Sequence, residues 1–367
     1  MTMSTDARRY AQIRYRLLLV DGLLTAVVLA LLQFSGYSRA IAGWWSARHW
    51  PAEIVVAGYL LVFGLVSYFT LLPIHVYGSF YLEHRFGLSR LSVRGWLVRE
   101  AKHIAVSGLL SVILIEGLYE LLRHAPRHWP VWATIGWVLV SIVLARIFPT
   151  VLLPLFYKTA PLQDQALVRR LLNLCERTGL SALGVFRFEL GADTRKANAA
   201  LAGLGKTRRV LVSDTLVAEF TPEEIEGVLA HELGHQRYRH ITKLLILSAI
   251  GSWIAFRLTD AAASRWVAPL GLQGLADMAG FPMLMLWFWL LGLLGLPLQN
   301  GVSRRFEWQA DRFATTMIPS ARAFADALRR LAQLNLADPN PPAWVVWLFY
   351  DHPPITARIQ AAEKREP

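Results

Sequence analysis

Six apolar runs constrain this chain more than any other feature: residues 17–34, 54–74, 104–122, 131–156, 241–258 and 281–298. A bilayer hydrocarbon core of about 30 Å takes ~20 residues of helix, and each run reaches that length or falls just short of it. Buried helices of a large soluble core would also be apolar, but the second and sixth runs carry no charged residue at all. With 54% hydrophobic and 17% charged residues and a mean hydropathy of +0.37, the balance is that of a membrane protein. The expected fold is mainly α, a polytopic bundle of about six spans. The fifth span has Lys243 and Arg257 near its ends, where long side chains snorkel.

Charge placement gives an orientation. The net charge of +12 would suit a nucleic-acid binder, yet the basic residues of the first half flank apolar runs, so no nucleic-acid partner is expected. The N-terminal tail holds Arg8, Arg9, Arg14 and Arg16, and the loop after the second run holds Arg85, Arg90, Arg94, Arg99 and Lys102. The intervening loops carry only Arg39 and Arg48, then Arg123 and Arg127. By the positive-inside rule the N-terminus is cytoplasmic, and four crossings return the chain to that side near Lys158. In a prokaryote this would be the inner membrane. Ala40 and Ala42 resemble a cleavage site, but the first run is too long for a signal peptide and contains Asp21, so it is read as a retained span. Tryptophans near run ends (Trp44, Trp45, Trp50, Trp129, Trp266, Trp287, Trp289) suit the headgroup level. Asp21, Glu116, Glu120 and Arg146 lie within spans; they line a wet chamber or pair with one another, Glu116 with Arg146 being the obvious pair. The single cysteine, Cys175, excludes an internal disulfide and a cysteine-rich metal site.

Chemistry concentrates in 228–240, VLAHELGHQRYRH. His231, Glu232 and His235 spell H-E-x-x-H; on a helix, residues four apart stack on one face and can present both imidazoles to one ion. Glu232 then stands beside a metal-polarised water as general base. Thr221 as N-cap, Pro222 at the first helical position and Glu224 as a capping-box partner predict where this helix starts. Gly234 in its interior costs roughly 1 kcal/mol against Ala, which points to close packing or a passing substrate.

A metal site needs a third ligand, and the best candidate lies in 304–314, RRFEWQADRFA. Glu307 and Asp311 share a helix face: Glu307 would complete a two-His, one-Glu set, and Asp311 would fix a ligand tautomer. Solvated or Arg-paired carboxylates are the plainer alternative. His240 is a rival ligand, but five residues after His235 it points off the shared face.

Residues 158–221 read as soluble. An amphipathic helix is expected over 163–178, and strands over 185–190 and 209–213, with the small, glycine-rich 197–205 between them. A strand edge there could pair with an extended peptide, or simply form a hairpin. Near the C-terminus, 342–350 is apolar but too short to span, and in 351–359, DHPPITARI, His352 and Arg358 are candidate oxyanion donors.

HELGH at 231–235, EWQAD at 307–311 and DHPPITARI at 351–359 resemble the integral-membrane CAAX prenyl protease type I family of gluzincin zinc proteases. ANAALAGLGKTRRVLVSDTL at 197–216, FPTVLLPLFYKTAPL at 148–162 and EHRFGLSR at 83–90 extend the likeness over most of the chain. The resemblance implies one Zn2+ per chain on His231, His235 and Glu307, Glu232 as base, and Asp311 supporting a ligand. It further implies Asn198 and Ala199 holding the substrate backbone, His352 and Arg358 at the scissile carbonyl, and a water-filled intramembrane chamber. The eukaryotic members have seven spans, against the six counted here. The expected organisation is a four-span membrane domain over 1–156, a first catalytic part over 157–240, two more spans over 241–300, and a second catalytic part over 301–367. The expected whole is thus a membrane bundle with a cytoplasmic gluzincin-type domain containing a small β-sheet. The expected function is zinc-dependent hydrolysis of peptide bonds in membrane-associated proteins, CAAX-type prenylated ones among them, with protein substrate and membrane lipid as partners. The alternatives are a heat-shock-type quality-control protease, a silent zinc-containing scaffold, and an intramembrane-cleaving protease; the polar flanks TPEEIEG and RRFEWQAD argue against the last.

Overall fold

The computed structural model describes residues 5–180, 182–203 and 207–365. Six of its helices are long and apolar enough to cross a membrane, and they contain the six apolar runs. The first is α1 (Thr5–Phe34), followed by the short α2 (Tyr37–Ser46). Next, α3 (Ala52–Val76) runs through a π-helical turn at Tyr77–Tyr81 into α4 (Leu82–Arg85). Then come α5 (Val93–His124) and α6 (Trp129–Ile147), the latter passing through a second π-turn at Phe148–Leu152 into α7 (Leu153–Phe156). Both π-turns have a chemical cause nearby. Pro73 and Pro149 lack the N–H that an α-helix needs at those points, and the ladder widens locally to accommodate them.

These spans wear their apolar side chains outward: at most 22% of any apolar window is buried within the protein. That inverts the rule for soluble helices and fits lipid as the surrounding solvent. Of the two readings left open for the charged residues inside the spans, the Glu116–Arg146 pair does not form. The two sit on successive antiparallel helices, eight residues from the connection for Glu116 and seventeen for Arg146, so they lie at different depths. Glu120 pairs instead with Arg123 and His124 on its own helix. Asp21 lies 3.3 Å from His75 and, with Tyr15, Glu100 and Tyr350, lines a cavity of about 470 Å³.

The middle segment folds as α8 (Gln165–Arg177), capped by Asp164, and a four-stranded sheet. Its strands are β1 (Thr159–Pro161), β2 (Val185–Phe188), β3 (Ala199–Ala202) and β4 (Arg209–Ser213), in the order β1-β2-β4-β3. β2 and β4 are parallel and the outer pairs antiparallel, so β3 is an edge strand. β2 stops short of Leu190 because Leu190 and Gly191 give their N–H groups to Asp214 instead. Part of the 197–205 stretch lies outside the described residues. After α9 (Asp214–Glu219) come α10 (Pro222–Arg237), the fifth span α11 (His240–Val267) and the sixth, α12 (Phe281–Met317). The chain closes with α13 (Ala321–Leu334), α14 (Ala343–Phe349) and α15 (Ile355–Glu363).

The parts on either side of the last two spans share one core. Ile225, Leu229 and Leu233 of α10 pack with Leu171, Leu174 and Val212 from before them and with Phe324, Leu328 and Ile359 from beyond α12. Between this unit and the membrane helices run Lys196–Glu83 at 2.8 Å, Thr194 to the Leu88 carbonyl at 2.7 Å and Tyr15 to Asp338 at 2.9 Å. A second apolar cluster around Tyr59, Tyr119, Trp129 and Phe281 ties the spans together at their opposite ends.

Candidate metal centre

α10 begins as its sequence dictates. Thr221 Oγ1 accepts from the Glu224 N–H at 3.3 Å, Glu224 Oε2 accepts from the Thr221 N–H at 2.8 Å, and Pro222 fills the first turn. One turn apart on its buried face, His231 and His235 bring their Nε2 atoms to 3.1 Å. Glu307 enters from α12, with Oε2 3.3 Å from His231 Nε2 and Oε1 3.2 Å from His235 Nε2. The helices come this close because α10 has no side chain at Gly234; a Cβ there would stand 2.9 Å from the Ala310 Cα. Close packing is therefore what this glycine serves.

Three features of this triangle fit a divalent metal ion. Its edges of 3.1–3.3 Å match a tetrahedral centre, where bonds of about 2.0–2.1 Å place ligands about 3.4 Å apart. Glu307 is buried, and its Oε2 has no hydrogen-bond partner among the described residues. The site also favours positive charge. Burial opposes a proton on His231, yet the neighbouring carboxylates of Asp311 and Glu307 outweigh it and lift the His231 pKa to about 9. Two imidazoles and a carboxylate are the donor set of a catalytic site that leaves one position open.

Around the ligands the supports differ. His231 Nδ1 lies 2.8 Å from Asp311 Oδ1. Asp311 in turn accepts two hydrogen bonds from Arg358, at 2.8 and 2.7 Å, in a bidentate pair that is almost fully buried. Arg358 thus stands behind the ligands, 3.4 Å from the Nδ1 side of His231. The same Arg358 nitrogen lies 3.7 Å from Glu307 Oε2. His352 is in front, half-exposed, with Nε2 3.4 Å from Glu307 Oε2 and Nδ1 2.8 Å from Asp351. Burial alone would lower its pKa, but Asp351 and Glu307 raise it on balance.

His240 is not in the triangle. It is fully buried beneath it, with Nδ1 3.1 Å from His235 Nδ1 and Nε2 2.9 Å from Gln309 Oε1, a contact that spacing alone did not reveal. Glu232 is half-buried and within electrostatic reach of Arg358. Asn198 is exposed at the start of β3, its backbone tied to Ser213 through a 3.0 Å and a 2.9 Å hydrogen bond; Ala199 is the first residue of that strand. β3 packs beside α10, so its unpaired edge lies close to the ligand helix.

Residues 161–366 match the model of peptidase family M48, and residues 4–158 match that of the CAAX prenyl protease N-terminal region, five membrane helices. In that N-terminal stretch the structure has four long membrane helices and the short α2. The chain is 25% identical over 364 residues to a protein of Bacillus subtilis named uncharacterized metalloprotease YhfN, covering 98% of this chain and 85% of that one. It is 26% identical over 332 residues to CAAX prenyl protease 1 of Saccharomyces cerevisiae, covering 84% and 72%. The crystal structure of S. mikatae Ste24p has the same fold, with a TM-score of 0.84 at 22% identity over 99% of this chain and 91% of that one.

Proposed function

This chain belongs to peptidase family M48, and from that premise we propose a zinc endopeptidase acting on membrane-associated proteins, CAAX-type prenylated proteins among them. Membership makes it a metalloprotease, and its apolar helices make it a multi-pass membrane protein. The finer reading is carried by one observation: His231, His235 and Glu307 converge at 3.1–3.3 Å, with a buried Glu307 oxygen that accepts no hydrogen bond among the described residues. Two nitrogens and one oxygen with no thiolate suit zinc. The names of the yeast and human CAAX prenyl protease 1 relatives support the substrate class. The basic tail and the 85–102 loop support a cytoplasmic site. The division at 156, 240 and 300 follows from that topology.

When bound, zinc supplies Lewis acidity to a water and to the scissile carbonyl. Glu232, directly after His231, takes the water's proton and returns it to the leaving amine. Ala199, whose backbone faces the open edge of β3, holds an extended substrate as an added strand, and the exposed Asn198 side chain secures it there. His352, facing the ligands from the exposed side, donates to the developing oxyanion. Asp311 holds His231, and Arg358 acts through Asp311 to keep it in place.

Glu232→Gln tests the reading. The variant should keep one zinc per chain by elemental analysis and lose at least about 10²-fold in turnover of casein or a farnesylated CAAX peptide. Cleavage at the wild-type rate would remove Glu232 from the chemistry. Full activity of the chelator-treated wild type would remove the metal. A farnesylated peptide cut no faster than its unmodified twin would remove prenylation from substrate selection.

A further inference from the structure

The two histidine ligands are supported in different ways. Behind His231 stands a carboxylate, Asp311, neutralised by Arg358. Behind His235 stands another histidine. His235 turns Nε2 toward Glu307 Oε1 at 3.2 Å, so as a ligand it must carry its proton on Nδ1. That nitrogen lies 3.1 Å from His240 Nδ1, which must then be the acceptor. The proton of His240 is left on Nε2, 2.9 Å from the carbonyl oxygen of Gln309. One assignment of tautomers satisfies all three residues.

The fold holds this relay firmly. Arg239 adopts a left-handed conformation (φ 54°) between α10 and α11, and this reversal returns His240 beneath His235. The His240 ring lies flat on Phe306, with centroids 4.3 Å apart and planes at 5°, and has no solvent exposure. Phe306 and Gln309 bracket Glu307 on α12, so the relay joins the helix of the first two ligands to the helix of the third.

We propose that His240, oriented by Gln309, is a positioning residue for the metal ligand His235, fixing its tautomer and ring orientation through a neutral hydrogen bond. The proposal rests on the assignment of His235 as a ligand. Outer partners of this kind typically govern metal affinity by 10–100-fold.

Competition between the metal-stripped, full-length protein and a chromophoric chelator for Zn2+ measures the effect directly, without substrate. His240→Phe keeps a ring on Phe306 but offers no acceptor, and should weaken zinc by about 10–100-fold. His240→Asn loses the ring but keeps an acceptor near the Nδ1 position, and should bind near the wild-type value. A residue that merely fills space gives the reverse order, Phe harmless and Asn harmful, and that result overturns the proposal. Gln309→Met, at an exposed position that leaves folding intact, should weaken zinc several-fold; no change there overturns it as well. The absorption bands of the Co2+-substituted protein should shift in His240→Phe and not in His240→Asn. If the wild type itself takes up no zinc, or His235→Ala takes up as much, then the metal site is what fails, and the relay falls only with it.

Discussion

The two helices that build the metal centre reach it by opposite routes. α10 is a 16-residue helix inside the catalytic unit, started by its own capping box and buried along most of its length. α12 is a 37-residue helix that first crosses the membrane as the apolar run 281–298 and then continues into the catalytic unit as RRFEWQAD. Between Leu298 and Glu307 it climbs roughly 14 Å at 1.5 Å per residue, which separates the carboxylate from the apolar run. The geometry of His231 relative to His235 is therefore local, whereas that of Glu307 relative to both depends on how a membrane span docks against a soluble helix. The docking is decided where Gly234 meets Ala310.

The largest effect is expected from prising that contact open. In Gly234→Val the new Cβ meets backbone, 2.9 Å from the Ala310 Cα, so the helices must part rather than a side chain turn aside. Overpacking of this kind costs about 1–3 kcal/mol. Because the ligand triangle spans the same two helices, zinc content should fall together with the melting temperature, and activity with both. A variant with normal zinc content and melting would break the comparison, showing that α12 is registered elsewhere.

A middling effect is expected from α10 alone. Thr221→Ala removes the side-chain half of the capping box and should cost about 1 kcal/mol of stability. The helix stays on α12 through Gly234, so kcat at saturating zinc should be unchanged. If Thr221→Ala loses metal as readily as Gly234→Val, the local and the tertiary halves of the site are not separable.

The same division explains what was legible in the sequence. The H-E-x-x-H pair, the Thr221 cap and the six spans are short-range patterns, and the helices formed where those patterns lie. Glu307 and Asp311 were visible as a pair on one face, but only the fold carries them to His231. The Glu116–Arg146 pairing failed because a sequence gives no depth until the antiparallel hairpin is drawn. DHPPITARI does not say which way its helix turns, so the bidentate pairing of Arg358 with Asp311 was not legible in it. His240 was excluded as a ligand by helical spacing, and it lies outside the triangle of His231, His235 and Glu307. What spacing could not supply was the left-handed Arg239, which ends one helix and brings the next histidine back underneath.

The smallest effect, and the sharpest check on whether the catalytic unit opens independently of the spans, comes from Cys175. It lies on α8 in the shared core, 2% exposed, and burial pushes its thiol up to about 11 from an ordinary 9.0. Raising a thiol's pKa on folding favours the neutral form. The stability this group contributes is therefore present below pH 9 and is lost as pH rises through about 11. At pH 8 the native protein should not react with a maleimide except through opening, because the thiolate is the nucleophile and the side chain is shut away. Thr221→Ala should raise the labelling rate about fivefold if ~1 kcal/mol of capping is lost from the open-to-closed balance. Gly234→Val should raise it further if separating α10 from α12 loosens the shared core, because α10 packs against α8 within it. Stoichiometric labelling of the wild type within minutes would place Cys175 outside any such core, and the catalytic unit could no longer be treated as one body carrying both halves of the site.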